Sequence, residues 1–227
     1  MLVKITQLKW ILYVLILSFL ILSLYIYKHP VTEIDIAVST TIQKYHSDAM
    51  DQMMKSISIF GEMPFSLIFV LLAAGTFYFT KFRIEAYFTS LVVFSGLLIL
   101  LVKNIINRPR PTGFYVRLVE IYRLQSFPSG HVLSYVLFFG FMIVLMLTLK
   151  EINRAVKIIV TTVSVFLILA VPASRIYLGA HWFTDTVGGF ILGIICLFPL
   201  CFFYFKQKEK LKKLEANESK NQFPARH

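Results

Sequence analysis

Three groups of residues in this chain could do chemistry together. Lys103 directly follows the apolar run LLILLV, and Arg110 comes seven positions later in RPRP. Ser129, Gly130 and His131 close the stretch SFPSGH, just before another apolar run. Arg175, His181 and Asp185 lie close together in SRIYLGAHWFTD. Several fixed cations with no acidic cluster beside them suit an anionic ligand. In a chain this apolar, a phosphate on a lipid is the leading candidate. Arg110 and Arg175 can each hold phosphate oxygens with two parallel N–H donors, and Lys103 adds a point charge.

PSG at a helix start extends this chemistry. The first backbone N–H groups of a helix have no partner inside it, and glycine lets a ligand come close. His131 follows immediately and would sit beside the bound anion. His181 and Asp185 are four apart, so on a helix they share a face. The carboxylate can then accept the Nδ1 proton of His181, fix its tautomer and leave Nε2 free to attack phosphorus. Two histidines with one carboxylate divide the work, one attacking and one protonating the leaving oxygen. Surrounding cations stabilise charge on five-coordinate phosphorus. Taken singly, a basic residue at a helix end is ordinary, because its stem snorkels to the headgroups. Snorkelling accounts for neither two histidines nor an aspartate, and charges this close to hydrocarbon are usually functional.

The elements that must position these residues are membrane helices. The chain has 227 residues, 57% of them hydrophobic, with 22 Phe. Six apolar runs approach the roughly 20 residues that cross a bilayer: 10–27, 64–80, 86–102, 132–149, 158–173 and 186–205. Period-two alternation is absent, and spans without it must be helices. The expected fold is therefore all-α, a bundle of six transmembrane helices forming one domain over 1–214. The first run is long and lacks a small-residue cleavage pattern, so it reads as an anchor that stays. Segment 31–63 mixes charges with helically spaced apolar residues and predicts one or two short amphipathic helices at the interface, either a lid or lipid-entry wall or a connector capping the bundle. Residues 215–227 are polar and read as a disordered tail.

Charge orients the bundle. Lys4, Lys9, Lys81, Arg83, Lys150, Arg154, Lys157 and the lysines of KQKEKLKK fall on one side when six helices alternate. The positive-inside bias makes that side, with both termini, cytoplasmic, and the three chemical groups extracytoplasmic in the cell membrane. This distribution accounts for the net charge of +11. It argues against nucleic acid as a partner, since no recognition helix or basic-aromatic sheet is visible.

With these motifs in place, the sequence resembles the type 2 phosphatidic acid phosphatase superfamily, membrane lipid phosphatases related to bacterial acid phosphatases and vanadium haloperoxidases. The family signature has three parts: Lys, six residues, Arg-Pro; Pro-Ser-Gly-His; and Ser-Arg, five residues, His, three residues, Asp. They match Lys103 to Arg110-Pro111, Pro128-Ser129-Gly130-His131, and Ser174-Arg175 with His181 and Asp185. The resemblance implies His181 as nucleophile through a phosphohistidine, Asp185 as its partner and His131 as general acid. It implies Lys103, Arg110, Ser129, Gly130 and Arg175 as the phosphate pocket, with no metal and no other cofactor. Arg108 lies outside the signature and stands as a candidate second phosphate contact.

Two other classes compete. A metal-dependent hydrolase would use His131, His181 and Asp185 as ligands, against the repulsion of the surrounding cations. A transporter of an anionic substrate would carry charges at mid-membrane rather than at one face. Among substrates, family resemblance in compact six-helix members puts undecaprenyl diphosphate first by a small margin, then phosphatidic acid or phosphatidylglycerol phosphate; no residue decides the order.

Overall fold

The structure is a computed structural model, which describes the backbone of residues 5–222 and the side chains of residues 9–214. Lys4 and residues 223–227 lie outside the described residues. The rest forms nine α-helices and two short 3-10 turns, with no strand among the described residues: α1 Ile5–Lys28, α2 Glu33–Ile42, α3 Asp48–Ser58, α4 Phe65–Phe79, α5 Arg83–Ser90, α6 Ser95–Ile106, α7 Gly130–Thr148, α8 Arg154–Tyr177 and α9 Phe183–Gln222. Five spans are long and apolar enough to cross a bilayer: Lys9–Lys28, Arg83–Ile106, Gly130–Thr148, Arg154–Tyr177 and Phe183–Leu214. The run predicted at 64–80 forms α4, only 15 residues long. It reaches spanning length only together with the preceding α3 segment, from which it is bent by 57°. The count rises from five to six only when this bent pair is taken as one span, broken at the Gly61-Glu62-Met63-Pro64 turn.

Helix α7 is the centre of the bundle. In it, 56% of the apolar window is buried, against 17–28% in the other four spans, whose remaining apolar surface is left for lipid. Val132, Leu133, Phe141 and Leu145 are fully enclosed. Close approach of α9 to α7 is set by Gly189 and Gly193, four residues apart on one face. A Cβ on Gly189 would lie 2.5 Å from the Ser129 carbonyl oxygen, and one on Gly193 2.7 Å from Val136 Cβ. Small residues at this spacing let membrane helices touch through their backbones. The contact fixes the N-terminal end of α7, where the PSGH stretch lies.

Residues 31–63 form the two short helices expected, α2 and α3, and they are built into the bundle end. Gln43, which caps α2, donates through Nε2 to the carbonyls of Arg117 and Tyr177 (both 2.8 Å) and accepts from the Arg117 N–H at 2.9 Å. Ser58 and Ser174 share a buried hydroxyl bond of 2.6 Å. The tail is a correction. From residue 215 it was expected to be disordered, yet α9 continues to Gln222. No breaker follows Phe205, the residues are good helix formers, and Glu209 pairs with Lys213 at 2.7 Å one turn on.

Candidate active site

Lys103 sits in the last turn of α6, which ends on Asn107 in the left-handed region (φ 48). Asparagine tolerates that conformation and releases the chain into an irregular stretch running to Pro128. Ser129 caps α7, its hydroxyl accepting from the Val132 N–H at 3.5 Å. The N–H groups of Gly130 and His131 then open the helix without an intrahelical acceptor. Arg175 lies in the last turn of α8. Gly179, with φ +69, turns the chain back; the Arg117 carbonyl lies so close that only glycine fits. Three segments distant in sequence thus converge at one end of the bundle, and every predicted site residue is among them.

Asp185 occupies the first turn of α9 and is fully buried. Its Oδ2 accepts from the Trp182 N–H at 2.8 Å and from the Ser126 hydroxyl, and its Oδ1 from Arg108 Nη1. His181 precedes the helix rather than lying on it, yet Nδ1 still comes within 3.4 Å of Asp185 Oδ2. An ionised carboxylate only accepts, so Nδ1 carries the proton and Nε2 keeps a lone pair. Arg110 Nη1 lies 3.4 Å from that Nε2. Burial, with the Arg110, Lys103 and Arg175 cations around it, pushes the His181 imidazole well below its ordinary pKa, so it stands neutral at pH 7.

The cations gather around one aromatic ring. The guanidinium carbons of Arg110 and Arg175 each lie 4.9 Å from the Tyr122 ring centroid, and the His131 ring lies 6.2 Å from it. Lys103 Nζ donates to the Gln125 carbonyl. Arg175 is fully buried, yet its Nε and Nη2 have no hydrogen-bond partner among the described residues, and nor does His131 Nε2. Buried donors are ordinarily satisfied, so these mark a place for an anion.

A family model described as the PAP2 superfamily matches residues 84–210. Phosphatidylglycerophosphatase B of Bacillus subtilis is 31% identical over 200 residues, covering 81% of this chain and 90% of that protein. The chain belongs to the PAP2 superfamily. That makes it a membrane lipid phosphatase. The crystal structure of a transmembrane PAP2 type phosphatidylglycerolphosphate phosphatase from Bacillus subtilis superposes with a TM-score of 0.74 at 27% identity, over 86% of this chain and 96% of that one. Aquifex aeolicus LpxE shares the fold, with a TM-score of 0.54 at 20% identity over 73% of this chain and 93% of that one.

In this PAP2 chain the structure places Arg108 elsewhere than on phosphate. Its guanidinium is buried between two carboxylates, with Nη2 on Asp35 Oδ2 at 2.5 Å and Nη1 on Asp185 Oδ1. Nε donates to the Pro30 carbonyl at 2.7 Å. Asp35 also takes the Thr184 N–H at 2.9 Å, so α2 is tied to the start of α9. No three His, Cys, Asp or Glu side chains converge as metal ligands among the described residues.

Sequence reasoning missed three residues of the site. Glu62 Oε1 lies 3.7 Å from His131 Nε2, and Glu120 Oε2 accepts from Arg175 Nη1 at 3.1 Å. The Tyr122 hydroxyl lies between them, bonded to Glu62 Oε1 and, at 2.6 Å, to Glu120 Oε2. The contact with His131 and the bond from Tyr122 hold the Glu62 carboxyl at about 2, against the opposing effect of burial. Both carboxylates belong to irregular segments, where no periodicity points inward. Glu120 is brought in by its N–H, which donates to the Leu178 carbonyl at 3.2 Å. Glu62 is brought in by Gly61, on which the His131 ring packs so closely that a Cβ would lie 2.5 Å from Cδ2.

Proposed function

We propose that this PAP2 enzyme removes the terminal phosphate of a lipid head group in two displacements through a phosphohistidine. His181 Nε2 attacks phosphorus while Asp185 holds its Nδ1 proton, and the P–O bond to the lipid breaks. The leaving oxygen takes a proton from His131. Water then attacks the phosphohistidine, giving its proton to His131, and inorganic phosphate leaves with His181 restored. Lys103, Arg110, Arg175 and the Gly130 and His131 N–H groups carry the charge of five-coordinate phosphorus. The observation that carries this reading is the buried Arg175, with two free guanidinium nitrogens grouped with Arg110 and His131 around Tyr122.

Family resemblance alone puts an isoprenyl diphosphate first. The two Bacillus subtilis relatives, named for phosphatidylglycerol phosphate, favour the reverse order, and we take that lipid as substrate, with phosphatidic acid and undecaprenyl diphosphate next. The site lies on the extracytoplasmic side, supported by the basic residues at the other ends of the helices. The test is phosphate release by detergent-purified protein from these three lipids. Release should persist in excess chelator and be blocked by vanadate, a mimic of five-coordinate phosphorus. Activity lost in chelator and restored by zinc would replace this mechanism with a metal-dependent one.

A further inference from the structure

Glu62, Glu120 and Tyr122 form a wall beside His131 that the mechanism does not use. On the phosphatase reading, His131 protonates the leaving oxygen, so the wall faces whatever the phosphate is leaving. Its donor count does not balance. Ionised carboxylates only accept. Against the four oxygens of Glu62 and Glu120 stand one phenol proton, one guanidinium N–H of Arg175 and, when His131 is protonated, the proton of its Nε2, which lies 3.7 Å from Glu62. The Tyr122 hydroxyl touches both carboxylates but has a single proton, so at least one of these contacts is acceptor to acceptor. Phosphate held on the free Nε and Nη2 of Arg175 leaves Nη1 on Glu120 and adds no donor to the wall. The side chain of Glu62 is 34% exposed and that of Glu120 19%, so both keep accessible surface beside His131 and Arg175.

We propose that this wall selects the leaving group, admitting phosphomonoesters of a hydroxyl-bearing polyol head group and turning away phosphoanhydrides. The inference rests on the phosphatase reading and names the substrate class of the same site. A glycerol head group leaves through an alcohol oxygen, with the lipid's phosphodiester charge set away from it, and its neighbouring hydroxyl supplies a further donor. An isoprenyl diphosphate leaves as a prenyl phosphate, whose negative oxygens flank the leaving atom itself and would meet two carboxylates, one of them 3.7 Å from His131. Like charges set against each other are disfavoured, and a site built to bond a hydroxyl discriminates against an analogue lacking it.

The test compares three esters on wild type and on the isosteric double variant Glu62→Gln, Glu120→Gln: phosphatidylglycerol phosphate, its analogue lacking the head-group 2-hydroxyl, and an isoprenyl diphosphate. Nitrophenyl phosphate, whose leaving group has neither hydroxyl nor added charge, reports whether each protein is assembled. In wild type, kcat/KM should favour the hydroxyl-bearing ester over both others by at least about tenfold. In the double variant the preference over the diphosphate should shrink by about the same factor, with the change in KM as well as kcat. The hydroxyl-free analogue should be affected least. Equal ratios in the two proteins, while both hydrolyse nitrophenyl phosphate, would overturn the wall. Should the double variant prove unstable, the comparison of the two glycerol esters on wild type decides alone: no dependence on the hydroxyl sinks the proposal. A wild type that hydrolyses none of the esters would instead overturn the phosphatase reading.

Discussion

His181 and His131 differ in what their second nitrogen meets. His181 has Asp185 within 3.4 Å of Nδ1, whereas His131 offers Nε2 toward Glu62. His181→Ala should therefore abolish phosphoenzyme formation, read as acid-labile label on the protein. His131→Ala should retain part of it with nitrophenyl phosphate and lose about 10²–10⁴-fold more on an alkyl ester, whose leaving oxygen needs a proton. Equal losses on both esters would mean the roles are misassigned. The depressed pKa of His181 also has a sign. The reactive form is neutral, and its pKa lies well below 6.5, so lowering the pH through 6.5 does not switch it off. Once the substrate's own ionisation near pH 6 is divided out, the acid limb of kcat/KM should lie below that value. The same shift works against stability in acid: below 6.5 the unfolded chain binds a proton that the folded site refuses.

At the scale of elements, the site depends on how closely α9 approaches α7. Gly189→Ala puts a methyl 2.5 Å from the Ser129 carbonyl, and backbone cannot give way as a side-chain tip can. It should destabilise the protein by about 1–3 kcal/mol and raise KM by shifting the PSGH cradle. Unchanged melting and kinetics would show that the helices separate freely. Arg108→Met should do greater harm, about 3–5 kcal/mol, because it leaves Asp35 and Asp185 buried with their countercharge gone; the melting temperature in detergent measures it. These elements were unequally legible. The spans stood out because lipid demands long apolar runs. The signature residues stood out because three short motifs recur at the spacing of a known family. Arg108 looked like Arg110 because both lie in RPRP, and only its partner Asp35, in α2, distinguishes them. Glu62 and Glu120 left no pattern, since irregular backbone brings them in. The helical tail was missed because polar composition was weighed above helix propensity.

At the scale of the molecule, the cations of the site sit at one end and a second, separate set of basic residues at the other. Lys103, His131, Arg175 and His181 cluster where α6 and α8 end and where α7 and α9 begin. Arg83, Lys150, Arg154 and the lysines of α9 flank the other ends of the same helices. Cysteines placed at Gly113 and at Lys210 should thus react with an impermeant reagent from opposite sides of the membrane, Gly113 from outside. Labelling of both from one side would contradict the alternating path, and α4 is where it would fail. With only 15 residues, α4 reaches spanning length only together with its bent partner α3.

The bridge from Asp35 through Arg108 to Asp185 bears on synthesis. Asp35 emerges early, Arg108 midway, and Asp185 only with the last span, and Thr184 is 149 residues from the Asp35 that receives its N–H. A chain still being made therefore carries the arginine with half its countercharge, beside a phosphate cradle lacking both His181 and the helix that holds it. The catalytic centre has no functional precursor. It is complete only once the start of α9 has docked, bringing Asp185 to the second side of Arg108.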